Sequence, residues 1–542
     1  MRKTVVVDAK ILTMDDSNPV CSCMVMDKGR IIDVGRNPKS EWYLGADVID
    51  AGGKLITPGL IDTHLHLALT GLWMLYGVDL DGSKSISDVV SKLKEKADSW
   101  RSAQWLVGYN LNEYELEEKR LPHRHELDEA SADTPIIVHQ RSGHYAVVNS
   151  EALRLSGINR DTPDPVGSRI GRYENGEPNG VLYEFKAKNL VMSHQPKYTL
   201  DDYVRAIQHV SERLLEEGVT SVKEPGGAGY DIDEELRLKA TSILAQRNEL
   251  KIRIYSCVSI WSINDLNRVV SLVNEFPNTD MFRVIGFKIH HDGSGFARTA
   301  WMSEPWNRDF DQIDDENRGF PQHSLQDFRR ILEEFNRHGK AITIHAIGDM
   351  AIETALDEIE RLKQDFPYKS EFSLVHVYAP SDEQIRRMKK LGVRVETQTS
   401  FIYSIGDTLI QNLGERRAQK FLPMRTYFEQ GVVVGNGSDS PVTTYDPKIG
   451  IYGAVTRKMK KPFRHIECLA HQQKIGVLDS LKTYTSLASE CVGDDRIGKI
   501  RKGGFADFVV WQKDLSQLEK TEEILGIKPL AVYIGGVKAC GA

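Results

Sequence analysis

The chain has 542 residues, 40% hydrophobic and 27% charged, with 43 Gly and 20 Pro; these proportions exclude a disordered, collagenous or purely repetitive chain and allow a large buried core. Its 70 Lys and Arg against 77 Asp and Glu leave a formal charge of −7, too small and too evenly spread to attract a polyanion, so no nucleic acid partner is expected. Six scattered cysteines form neither a CxxC pair nor a dense framework, which fits a reducing cytoplasm.

The start, MRKTVVVDAKILTMDDS, places Asp8 and Lys10 inside the apolar stretch before a signal-peptide core can form. No later run reaches the ~18 apolar residues of a membrane span, so neither export nor membrane insertion is expected. The first sixty residues alternate short apolar runs (Thr4 to Val7, Ile11 to Met14, Met24 to Met26, Gly29 to Gly35, Val48 to Asp50) with Gly and Asp punctuation. They predict a small antiparallel β unit.

Eight β-branched runs then alternate with helical stretches: Gly59 to His66, Val219 to Glu224, Lys251 to Ser259, Val284 to His290, Ala341 to His345, Phe372 to His376, Arg394 to Thr397 and Val432 to Gly437. Eight βα units close a TIM-type barrel. Helices are expected over Asp201 to Glu217, Asp231 to Arg247, Leu325 to Arg337, Met350 to Gln364 and Ser381 to Leu391, where apolar residues recur every three or four positions. The gap between the first and second runs far exceeds one βα connection and predicts an inserted subdomain at about 72–200. In it, Pro135 to His139 reads as an apolar run, and Asn175-Gly176 and Asn179-Gly180 read as hairpin turns. Near the end, Ile497 to Lys499, Phe508 to Trp511 and Pro529 to Ile534 again read as strands. The expected fold class is α/β: a (β/α)8 barrel over 59–496 with a large insertion after its first strand, flanked by a small β domain from 1–58 and 497–542.

The chemistry gathers at strand ends. Pro58 to His66 ends in His-x-His; side chains two apart on a strand share a face, so His64 and His66 would converge at the barrel mouth, a metal site in outline. Lys288, His345, His376 and Asp439 each end a separate later strand. A Lys inside an apolar barrel is costly unless neutralised or modified, and a desolvated amine can take up carbon dioxide to become a carbamate able to bridge two cations.

These residues and their order resemble the amidohydrolase superfamily over nearly the whole chain, and within it the amidohydrolase family 3 branch. Further stretches carrying the resemblance are Ser142-Gly143-His144, Asn149 to Leu153, Asp292-Gly293-Ser294, His345 to Asp349 and Gly437 to Pro441. Glu224, where Asp is expected, and His290-His291 ahead of Asp292 depart from it. The resemblance implies that the chain ends form a β-sandwich. It also implies a binuclear centre: His64, His66 and Asp439 on one divalent metal, His345 and His376 on the second, and carboxylated Lys288 bridging both. Zinc is the default, with Mn, Fe or Ni able to use the same ligands. A one-metal version would use His64, His66, His345 and Asp439.

Asp439 would be the general base, and His144, Arg298, Trp301 and Glu224 are candidate substrate-binding residues. The expected activity is hydrolysis of a C–N bond in an amide, N-formyl compound, lactam or cyclic imide by a metal-activated hydroxide. The alternatives are hydrolysis or deamination at another bond, ester or amidine, or a non-catalytic metal-binding or regulatory relative. The expected partners are a small-molecule substrate and, at most, a second copy of the chain as a homodimer.

Overall fold

A computed structural model describes residues 3–99, 105–165, 168–227, 232–307, 316–367 and 369–541. Eight parallel strands lie at its centre: β1 (Leu60–Asp62), β2 (Val219–Glu224), β3 (Arg253–Ile260), β4 (Phe282–His290), β5 (Ala341–Ala346), β6 (Phe372–His376), β7 (Arg394–Thr397) and β8 (Val434–Asn436). They neighbour one another in chain order. Backbone bonds from Thr63 N to Asn436 O (3.0 Å) and from Asp439 N to His64 O (2.7 Å) bring the first and last strand ends together, so the sheet is a nearly closed barrel. Every expected strand and helix of the barrel is present, displaced at its ends by a few residues; the helices run Leu200–Glu216, Glu234–Gln246, Leu325–Arg337, Asp349–Asp365 and Asp382–Leu391.

Strand alternation sorts the side chains. On β4, Phe287 and Ile289 pack outward into the helix layer, Phe287 stacking on Phe335 with ring centroids 3.9 Å apart. Lys288 and His290 therefore face the barrel interior. Below them the interior is polar: Lys223 of β2 donates to Glu396 of β7 at 2.5 Å, and the hydroxyls of Thr343 and Ser373 lie 3.3 Å apart. All four are buried, and the two charges are tolerable there because they meet.

Both β-rich ends join one mixed eight-stranded sheet. Its strand Asp47–Pro58 runs parallel to Thr4–Leu12 on one side and antiparallel to Phe508–Trp511 on the other, Phe508 facing Pro58, and leads directly into β1. The Trp511 indole donates to the Thr57 hydroxyl at 2.9 Å and locks that junction. Ile497 to Lys499, expected as a strand, is a bent loop instead. Gly498 has φ +73°, and a Cβ there would lie 2.4 Å from Thr485 O.

Between β1 and β2 the chain builds a six-stranded sheet in the order Arg169–Arg172, Pro178–Tyr183, Tyr145–Val148, Ile136–Gln140, Leu106–Leu111, Val78–Asp79. Asn175-Gly176 turns the hairpin as expected. Asn179-Gly180 does not: it lies inside Pro178–Tyr183, where a Cβ on Gly180 would come within 2.5 Å of Val148 O. That glycine serves close backbone approach. Tyr145 OH donates to Ala297 O at 2.6 Å, fastening the inserted sheet over the loop that follows β4, at the C-terminal mouth where barrels carry their chemistry. Among the described residues no helix is long and apolar enough to cross a membrane.

Candidate metal centre

β1 ends at Asp62, so the strand pleat does not aim His64 and His66. Asp62 does: its buried carboxylate accepts the N–H of His64 at 3.0 Å and of Ser438 at 3.1 Å, tying the turn after β1 to the turn after β8. Burial pushes the Asp62 carboxyl up to about 7 despite those bonds. Asp439 follows with φ +56°, a backbone region uncommon outside glycine, and its N–H rests on His64 O.

The consequence is convergence. His64 Nε2 and His66 Nε2 each lie 3.4 Å from Asp439 Oδ1, and ligand atoms of these three buried residues fall within 4.8 Å of one another. Two atoms that each bind one ion at ~2.1 Å with a tetrahedral angle are about 3.4 Å apart, so the spacing fits a shared divalent cation.

His376, the last residue of β6, has φ +76°; its ring centroid lies 5.3 Å from that of His64 and 4.6 Å from that of His345. One nitrogen of each of three rings is committed to an oxygen: His66 Nδ1 to Gly226 O (2.8 Å), His376 Nδ1 to Gln398 Oε1 (2.7 Å) and His345 Nε2 to Gly293 O (2.9 Å). The opposite nitrogen is left for a metal, the usual way a protein fixes the tautomer of a ligating histidine. Burial, reinforced by the Lys288 charge, holds His64 well below the ordinary imidazole range, and burial takes His376 down to about 4. Burial also holds His345 well below its usual value. All three rings are neutral at pH 7, the ligating form. Burial alone would raise Asp439, but the facing imidazoles outweigh it and keep the carboxylate ionised.

Lys288 is fully buried, and its Nζ has no hydrogen-bond partner among the described residues. Burial pulls its amine down to about 8. A neutral amine is the form that combines with carbon dioxide, and carbamate oxygens aimed at a cation would satisfy an otherwise orphaned group, so the residue fits a bridging ligand.

The histidines and Asp439 line a cavity of about 50 Å³ whose outer wall the insertion supplies through Arg141, Ser142, His144 and Phe185. His144 lies there as expected, its Nδ1 2.9 Å from Glu184 Oε2 and its ring 6.3 Å from that of His345. The other three substrate candidates are not brought to this wall. Both Glu224 oxygens are taken, by Ala68 N (3.0 Å) and Arg237 Nη1 (2.9 Å), and anchor the helix Leu67–Tyr76. Trp301 gives its backbone N–H to Asp292 Oδ2 at 3.1 Å, and its ring packs toward His291, centroids 6.0 Å apart. Arg298 is buried within the same loop, its carbonyl accepting from Asn317 Nδ2 at 3.0 Å.

The sequence reading assigns no role to Asp62, Gln398 or His290, which the structure brings to the site, nor to Arg141 and Glu184 in the insertion at its outer wall. His290 lines the cavity, stacks on Trp261 with centroids 4.1 Å apart and lies 5.1 Å from the His345 ring. Its signal was present, since it stands two residues beyond Lys288 and shares that face of β4. Asp292 accepts the N–H of Ile347 (3.1 Å) and Gly348 (2.8 Å), lies 3.5 Å from His345 Nε2, and is pushed by burial up to about 7.

An α/β barrel that gathers histidines and a carboxylate at its C-terminal mouth defines a metal-dependent hydrolase. The sequence profile described as the amidohydrolase family matches residues 47–538, and the chain belongs to that family. The Bacillus subtilis (strain 168) protein YtcJ is 27% identical, over 96% of this chain and 97% of its own. N-substituted formamide deformylase from Arthrobacter pascens is 26% identical, over 99% and 98%. A crystal structure of an uncharacterized metal-dependent hydrolase from Pyrococcus horikoshii OT3 superimposes with a TM-score of 0.75 at 26% identity, covering 95% of this chain and 99% of the other.

Proposed function

We propose that this hydrolase cleaves a C–N bond in a small amide, N-formyl compound, lactam or cyclic imide. The carrying observation is the single Asp439 oxygen 3.4 Å from both His64 Nε2 and His66 Nε2, together with a buried Lys288 amine that has no hydrogen-bond partner among the described residues. Likeness to a formamide deformylase over nearly the full length supports the bond type. His64, His66 and Asp439 would hold one divalent cation, and His345 and His376 a second, with carboxylated Lys288 between them; zinc suits imidazole and carboxylate ligands. When bound, the metal supplies Lewis acidity, which makes a water nucleophile available at neutral pH and polarises the scissile carbonyl.

The chain's own residues do the rest. Asp439, ionised at the cavity wall, takes the proton from the attacking water and passes it to the leaving nitrogen. Glu184 fixes the ring of His144, whose remaining nitrogen is placed to bind the substrate oxygen. The insertion closes over the mouth and limits bulk water. We place the enzyme in the cytoplasm, where reducing conditions suit its six free cysteines.

A one-metal centre is the second reading, favoured by one fact: among the described residues, only His64, His66 and Asp439 bring three ligand atoms within 4.8 Å. Elemental analysis of protein purified without chelator, with native mass for a bound carbon dioxide and assays on amide and ester panels, tests both. Two metals per chain and amide turnover support the binuclear C–N hydrolase. One metal selects the second reading, and turnover of esters alone overturns the bond assignment.

A further inference from the structure

The cavity at the histidines has about 50 Å³, whereas small-molecule sites commonly run to ~300–1,000 Å³. It admits the reacting end of a substrate and little else. Arg141, Pro441 and Val442 line this cavity and also a second pocket of about 290 Å³, so one wall separates the two.

Arg141 is the cation in that wall. It directly follows the strand Ile136–Gln140, and its N–H on Leu111 O (2.8 Å) holds the backbone in place. Its side chain is only 9% exposed, and the buried Nε has no hydrogen-bond partner among the described residues. Nη2 reaches Asp81, which is 48% exposed. The neighbouring acid, Asp79, is already engaged by Asn110 Nδ2 and Asp81 N, each at 3.0 Å. A guanidinium offers a rigid fork of donors that matches a carboxylate, and a half-exposed ion-pair partner competes weakly for it.

We propose that Arg141 is a specificity-determining residue that receives a carboxylate on the amine portion of the substrate, exchanging Asp81 for it. The scissile carbonyl then sits at the histidines and the anionic remainder extends past Arg141 into the larger pocket. This rests on the C–N hydrolysis reading and narrows its substrates to amides with a short acyl group and a carboxylate-bearing amine. Water's oxygen joins the acyl carbon, the C–N bond breaks and the proton goes to nitrogen.

The test compares 4-formamidobenzoate with the neutral 4-formamidobenzamide on the metal-loaded full chain. The wild type should favour the benzoate in kcat/KM by at least about tenfold, mainly through KM, and Arg141→Ala should erase that preference. Arg141→Lys should keep part of it and Asp81→Asn should enlarge it. A wild type indifferent to the charge, or an Arg141→Ala variant that weakens both compounds equally, overturns the proposal. If neither compound is turned over, the C–N reading is judged separately, by the amide and ester panels. Calorimetric titration of both compounds then decides: tighter benzoate binding that Arg141→Ala abolishes sustains the role, and equal binding refutes it.

Discussion

Asp62 takes the backbone N–H of Ser438 on both carboxylate oxygens, at 3.1 Å each, and so couples the exit of the first barrel strand to the exit of the eighth. Removing that carboxylate strands two buried donors, Ser438 N and His64 N, at ~1–3 kcal/mol apiece. Asp62→Ala should therefore unfold at lower temperature and purify with less metal, read by calorimetry and elemental analysis. A variant with normal metal content would show that the tie is dispensable.

Asp439→Asn should keep much of the metal, since an amide oxygen can still ligate, yet lose at least ~10²-fold in kcat because it cannot accept a proton. Turnover close to that of wild type would remove Asp439 from the proton-transfer role.

Lys288 gives a pH signature. Its amine, lowered by burial to about 8, is protonated below that pH and neutral above it, and only the neutral form adds carbon dioxide. With ¹³C-bicarbonate, the carbamate signal of metal-free protein should grow as pH rises through about 8, and Lys288→Ala should show none. A signal that ignores pH would reject the assignment.

Gln398 fixes His376 through a 2.7 Å contact. Gln398→Leu frees the ring, and loss of such a support typically weakens metal affinity ~10–100-fold. Chelator competition measures it, and unchanged affinity would show that His376 needs no such support.

Asp494 sets an acid limit. Burial would raise it, but Arg496 (2.7 and 2.8 Å) and Tyr255 (3.0 Å) donate to it and bring it down to about 2. A carboxyl depressed on folding adds stability above its unfolded value near 3.8 and loses it as pH falls from there through about 2. Asp494→Asn should be less stable at pH 7 and should lose less between pH 4 and pH 2 in urea titrations. Equal acid sensitivity would point to another group.

Much of the barrel and its candidate ligands could be read in the chain because β-branched runs announce buried parallel strands, and three of these carry a chemically distinctive residue at or near the end: Lys288, His345 and His376. His64, His66 and Asp439 are legible as candidate ligands by type and place, but turns held by Asp62, rather than a strand pleat, aim them. Glu224 misled because a carboxylate at a strand end looks the same whether it faces substrate or Arg237. Arg141 and Glu184 sit in the insertion, and only the pairing of its six strands brings them to the mouth.

The Trp511 to Thr57 bond spans 454 residues of sequence. At ~5–20 residues per second, a ribosome needs on the order of tens of seconds to make the later partner after the earlier one. Throughout that interval the strand that leads to His64 has one edge open to pairing with any other nascent chain. A chain cut short before Phe508 would carry all six candidate metal ligands yet lack the strand that braces the segment leading to His64 and His66.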